Sequence, residues 1–181
     1  MTLTLKEYCD NKAAIIDRHL EFLISGQSPT ILYEAMRYSI FAGGKRLRPI
    51  LLMAAADAIN GNGEDYVTVA AALEMIHTYS LIHDDLPAMD DDDYRRGKLT
   101  NHKVYGEAIA ILAGDALLTQ AFEAVMSQEN VKAETLVHVT KEIAVAAGAA
   151  GMVGGQVIDL LAEAKHISPQ ELKTMHALKT G

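Results

Sequence analysis

From Leu5 to Lys179 the apolar side chains recur at three- and four-residue intervals in almost every stretch, and no alternating run of Val, Ile or Thr bounded by turns interrupts them. That period belongs to helices, so the chain must bury helical stripes against one another, as an all-α bundle does. Leu5 to Ile24 reads as one helix, with Ile16, His19, Leu20 and Leu23 on its apolar side and Ser25-Gly26 as its stop. Ser28 as N-cap and Pro29 at the first helical position start a second, which reaches Ala42 before Gly43-Gly44. Pro49 opens a third stretch ending at Asn60-Gly61-Asn62-Gly63. Glu64 to Leu86, Gly106 to Ser127 and Val131 to Leu161 read as long helices, and a last one starts at Ser168, with Pro169 next and Glu171 at the capping-box position. No repeat or linker divides the chain, so residues 1–181 are expected to form a single domain.

Half of the 181 residues are hydrophobic, too many for disorder, and the single Cys9 excludes an intramolecular disulfide. Met1 to Lys12 is too charged for a secretory signal, so the expected compartment is the cytoplasm. The uncharged stretch Ile143 to Gly155 is short and rich in Ala and Gly; it suits a tightly packed buried helix, and no transmembrane segment is expected. A net charge of -8 opposes binding to nucleic acid through its phosphates. That charge is concentrated: six of the ten residues from Asp84 to Asp93 are aspartate, which leaves 18 acidic against 16 basic residues, or -2, elsewhere.

Clustered aspartates stay ionised only when solvated or neutralised by cations. Here the cluster follows a strongly apolar helix and precedes Arg95-Arg96, so cation-binding and anion-binding groups adjoin. An EF-hand is excluded, because the fifth and sixth positions from Asp90 are Tyr94 and Arg95; zinc lacks both HExxH and a cysteine pair. Magnesium takes oxygen ligands and is usually held by one or two carboxylates together with substrate phosphates, which points to a metal-bound diphosphate. On a straight helix Asp84 and Asp90 would diverge by about 240°. Pro87 breaks the helix and is expected to fold Asp90 back toward Asp84. His77 lies on nearly the same helix face as Asp84, about 10 Å deeper. In Gly43-Gly44-Lys45-Arg46-Leu47-Arg48-Pro49 the glycines permit close backbone approach, and the three basic residues could clamp a diphosphate.

GGKRLRP at 43 to 49, HTYSLIHDDLPAMDDDDYRRG at 77 to 97, NHK at 101 to 103, ILAGDALL at 111 to 118, GQVIDL at 155 to 160 and KTG at 179 to 181 together resemble the trans-isoprenyl diphosphate synthases. The resemblance implies an all-α bundle around a central cavity, and a head-to-tail condensation of isopentenyl diphosphate with an allylic diphosphate assisted by Mg²⁺. By position, Asp84 and Asp90 resemble the metal ligands, with Asp85 and Asp91 supporting. Lys45, Arg48, His77 and Arg96 resemble contacts to isopentenyl diphosphate. Arg95, Lys179 and Thr180 resemble contacts to the allylic substrate, with Asp84, Asp90 and Lys179 in the catalytic set. Gln156 and Asp159 match a family helix motif that helix packing could equally explain. Pro87 and Ala88, inserted in the aspartate motif, resemble the bacterial farnesyl and plant-type geranylgeranyl enzymes. Tyr79, with Ser80 beside it, is at the position that sets chain length, and an aromatic there implies a farnesyl product; an ordinary core tyrosine is the alternative. Geranylgeranyl or geranyl products, and a non-catalytic diphosphate-binding subunit, stay open. The resemblance also implies a homodimer and a second aspartate-rich motif. The chain stops at Gly181 before such a motif, so the expectation is a truncated bundle that is a poor catalyst on its own.

Overall fold

The computed structural model describes residues 3–163 and 165–181. The helices group into two compact units, one up to Asn130 and one from Val131 to Gly181.

In the first unit α1 (Leu5–Leu23) begins at a capping box: Thr4 Oγ1 accepts the Glu7 N–H, and the Glu7 carboxylate accepts the Thr4 N–H. Its buried stripe, Ile16 and Leu20 continued by Ile24, has the four-residue spacing of one helix face. The second helix, α2 (Thr30–Ile40), starts later than the sequence implies. Pro29, in an extended conformation, occupies the cap position, and the Thr30 hydroxyl donates to the Gln27 carbonyl, so Ser28 does not cap. α3 (Leu47–Asn60) is followed by a 3₁₀ turn (Gly63–Tyr66), which takes the first residues expected of the next helix.

That helix, α4 (Val67–Asp84), is the axis of the unit. Ala70, Ala71, Ala72, Met75 and Ile82 are buried along it, and their positions cover more than one face. Its most extensive partner is α6 (Glu107–Met126), whose buried residues include Ala110, Ala113, Gly114, Leu117 and Ala121, with Gly114 against His83 of α4. Small residues on both helices let the backbones approach and bury larger neighbours at the sides. Between them come a short α5 (Asn101–Tyr105) and a two-residue ladder, β1 (Tyr94–Arg95) against β2 (Lys98–Leu99), neither of which the periodicity implies. Arg96 and Gly97, the two turn residues, both have positive φ, as a type I′ hairpin turn requires.

In the second unit the stretch expected as one helix is broken. α7 (Ala133–Ala147) and α8 (Met152–Ala162) are separated by residues 148–151, where Gly148 and Gly151 take non-helical ψ. Nor is Ile143 to Gly155 a buried helix: Val145 and Val153 are exposed, while Ala147, Gly151 and Gly155 are buried. The last helix, α9 (Pro169–Lys179), begins at the expected capping box of Ser168 and Glu171. By length and composition alone, Glu107–Met126 and Ala133–Ala162 are apolar enough to cross a membrane; the former is the core helix α6 and the latter contains the break.

Candidate active site

Beyond Asp84 the chain turns back on itself. The Leu86 amide donates to the His83 carbonyl, and the Asp90 amide donates to the Asp84 carbonyl at 2.9 Å, spanning the Pro87 loop. The Asp91 amide closes the same turn on the Leu86 carbonyl, with Asp91 itself at positive φ. Asp84 is half-buried at the end of α4 and Asp90 is exposed beside it. Among the described residues no three His, Cys, Asp or Glu side chains converge into a preformed cage. Asp84 and Asp90 offer carboxylate oxygens, the ligand type that magnesium takes.

Asp85 points elsewhere. It is buried and receives Arg95 through Nε at 2.7 and 3.0 Å and Nη2 at 2.5 Å. Burial pushes its carboxyl up against the pull of that guanidinium, while the Asp85 carboxylate raises Arg95. Arg95, expected at the allylic substrate, is thus clamped to the supporting aspartate, with Asp92 3.5 Å from its outer edge.

Lys45, Arg48, His77 and Arg96 line one open cleft of about 520 Å³, together with Gly44, Arg46, Leu47 and Glu74. Three segments distant in sequence meet there: the glycine-rich loop with the start of α3, the middle of α4 and the hairpin turn. A Cβ on Gly44 would stand 2.6 Å from Arg96 Nη1, so the absence of a side chain allows the guanidinium to lie against the loop. The cleft also adjoins the N-terminal end of α3, whose dipole adds partial positive charge. His77 has its pKa lowered to about 4, first by burial and then by Arg48, Arg96, Arg95 and Arg46. It is therefore a neutral imidazole near pH 7, able to donate one hydrogen bond among cations without adding to their repulsion.

Tyr79 is buried, and its ring meets that of His83 edge-on with centroids 5.7 Å apart. Burial, with the Asp84 charge, holds its hydroxyl above the usual range. Ser80 donates its hydroxyl to the His77 carbonyl at 2.9 Å, which commits it to the helix backbone.

In the second unit Lys179 reaches Asp159 at 2.5 Å. Among the described residues neither amide atom of Gln156, one turn before Asp159, has a hydrogen-bond partner. Thr180 is exposed and closes α9, its amide donating to the His176 carbonyl. A side chain at Gly155 would collide with the backbone of Leu178 and Lys179, so α8 and α9 cross closely at this residue.

Glu74 escapes the sequence reading, and Arg46, expected there as one of three clamping cations, is instead buried against Asp17, Glu74 and the Ile40 carbonyl. Arg46 shares its charge with Lys45 and Arg48, and nothing local marks the inward-facing member. Glu74 did leave a trace, as the only acidic residue in the apolar run Val67 to Ile82.

The fold and this arrangement of basic cleft and aspartate turn define an all-α protein with a surface suited to anions and cations side by side. Residues 29–181 match the polyprenyl synthetase family model, and the chain belongs to that family. It is 52% identical over 182 residues to a dimethylallyltranstransferase of Fischerella ambigua, covering 99% of this chain and 53% of the relative. It is 48% identical to a farnesyl diphosphate synthase of Bacillus subtilis (97% of this chain, 58% of the relative) and 50% identical to a geranylgeranyl diphosphate synthase of Cyanophora paradoxa (98% and 60%). Among solved structures, a geranyltransferase from Legionella pneumophila superposes with a TM-score of 0.92 at 40% identity, covering 96% of this chain and 63% of that one. The chain spans about half the length of the curated relatives it matches.

Proposed function

We propose that these residues form the diphosphate-binding part of a prenyltransferase that joins isopentenyl diphosphate to an allylic diphosphate, with farnesyl diphosphate as product. The observation that carries the reading is the cleft in which Lys45, Arg48, His77 and Arg96 converge, with His77 on the same helix that ends in the aspartate turn. Lys45, Arg48 and Arg96 neutralise the diphosphate of the isopentenyl substrate, and neutral His77 donates a hydrogen bond to it. Asp84 and Asp90 would hold Mg²⁺, which when bound offsets the charge developing on the departing diphosphate. Arg95 is proposed from its motif position as a diphosphate contact on the first unit, and Lys179 and Thr180 from theirs as diphosphate contacts on the second. The allylic C–O bond breaks, the isopentenyl double bond attacks the cation to form the new C–C bond, and a proton is lost as diphosphate leaves. Buried apolar walls must keep water from the cation.

Tyr79 favours a farnesyl product, because a buried aromatic ring makes a rigid floor for the growing chain. The relatives bear farnesyl and geranylgeranyl names alike, so a geranylgeranyl product is the second reading. A cytoplasmic homodimer is the proposed form. Calorimetric titration of this chain with isopentenyl diphosphate should show binding that Arg48→Ala and Lys45→Ala each weaken at least ~10-fold, as lost charge-assisted contacts do. Unchanged affinity in both variants would remove the cleft from the substrate site.

A further inference from the structure

Of the three basic residues in Gly43 to Arg48, all of which line the cleft, one is buried in its wall with its charge already engaged by the protein. Arg46 is 4% exposed, and three of its N–H groups are already engaged. Nε donates to Asp17 Oδ1 of α1 at 2.8 Å, Nη1 to Glu74 Oε1 of α4 at 2.9 Å, and Nη2 to the Ile40 carbonyl at the end of α2 at 2.7 Å. Glu74 is 3% exposed. The Arg46 backbone sits in the left-handed region, with φ 49° and ψ 33°, and its carbonyl accepts the Ile50 amide at the start of α3. A non-glycine residue persists there only when its surroundings over-determine it. Here the fork of the guanidinium does so, because one planar group meets acceptors on three helices at once.

Two consequences follow from this geometry. The turn at Arg46 leaves Lys45, just before it, and Arg48, two residues after it, exposed on the cleft. Glu74 is three residues before His77, one turn along α4, so the same ion pair fixes the loop against the helix that carries the imidazole.

We infer that Arg46 and Glu74 are positioning residues, a buried strut that sets the register of Lys45 and Arg48 against His77 without touching the diphosphate. This rests on the proposed diphosphate cleft and adds to it the device that holds the cleft in shape. It separates two kinds of basic residue in one motif: two for the ligand and one for the frame.

Two variants that conserve net charge test it, so that neither alters the long-range attraction for an anion. Arg46→Lys keeps a cation beside Glu74, but one ammonium cannot meet all three acceptors. Arg46→Met combined with Glu74→Leu replaces the pair by apolar side chains of similar volume, a change that buried ion pairs commonly tolerate in stability. Inorganic diphosphate and isopentenyl diphosphate are titrated calorimetrically into the full 181-residue chain, and thermal unfolding is followed in parallel. The expected result is native-like melting of the double variant with diphosphate binding weakened about 10-fold or more, and a similar loss in Arg46→Lys. Binding within twofold of native in either variant, when folded, overturns the strut. If the native chain itself binds neither probe, the cleft reading falls first and the strut falls with it.

Discussion

A single methyl group at Gly155 tests whether the close crossing of α8 and α9 sets the position of Lys179. A Cβ built there would lie 2.7 Å from Lys179 Cα and 2.9 Å from the Leu178 carbonyl carbon, and closer still to the Lys179 nitrogen. These are backbone atoms, so no rotamer change relieves the clash. Restoring ordinary contact at 3.4 Å or more requires the helices to separate, by about 1 Å. Overpacking of this kind costs about 1–3 kcal/mol, and replacing glycine by alanine inside a helix returns about 1 kcal/mol. The net expectation for Gly155→Ala is a destabilisation of about 0–2 kcal/mol, a fall in melting temperature of no more than several degrees. The functional effect should be disproportionate. Lys179 is held 2.5 Å from Asp159, and a displacement of its helix by about 1 Å would break that contact and misplace the ammonium, enough to weaken geranyl diphosphate binding about 10-fold or more if Lys179 contacts it. The assay pairs thermal unfolding with calorimetric titration of geranyl diphosphate. Melting at or above the native temperature together with unchanged affinity would refute both the packing argument and the proposed role of Lys179.

Three further expectations can be measured on the same material. Asp90→Asn, at an exposed position of the turn, should leave melting unchanged and reduce the Mg²⁺-dependent part of diphosphate binding about 10-fold; equal Mg²⁺ dependence in variant and native chain would argue against a ligand role. Tyr79→Ala should cost about 3–5 kcal/mol for a buried aromatic and, in a protein with turnover, lengthen the product; a destabilised variant with the native product spectrum would make Tyr79 an ordinary core residue. His77 supplies the pH dependence. Its folded pKa of about 4 is below that of an unfolded histidine, so the unfolded chain binds more protons between the two values. Its contribution to stability is therefore complete above about pH 6.5 and is lost as pH falls toward 4. Denaturant midpoints measured at pH 7 and pH 4.5 should differ less in His77→Asn than in the native chain; an equal difference would assign the acid sensitivity to other groups.

Much of this protein is legible from local sequence. The helices from Leu5, through Met75 and Ile82, and after Ser168 follow from apolar spacing and a capping box, because those signals act within one or two turns. The return of Asp90 to Asp84 is equally local, since Pro87 forbids the helix to continue and the intervening loop is short. Other features depend on partners remote along the chain. Lys45, Arg46 and Arg48 carry like charges in one short loop, and only the arrival of Asp17, Glu74 and the Ile40 carbonyl selects Arg46 to turn inward. Arg95 and Arg96 are adjacent in sequence, yet the hairpin sends one to buried Asp85 and the other across Gly44. Gly155 reads as a plain helical glycine until the backbone of α9 is laid against it. Periodicity and turn chemistry determine which residues become helix and where the chain reverses; which charged side chain meets ligand and which becomes frame is decided only when distant segments desolvate one another, because a buried charge must take the partner that packing brings to it.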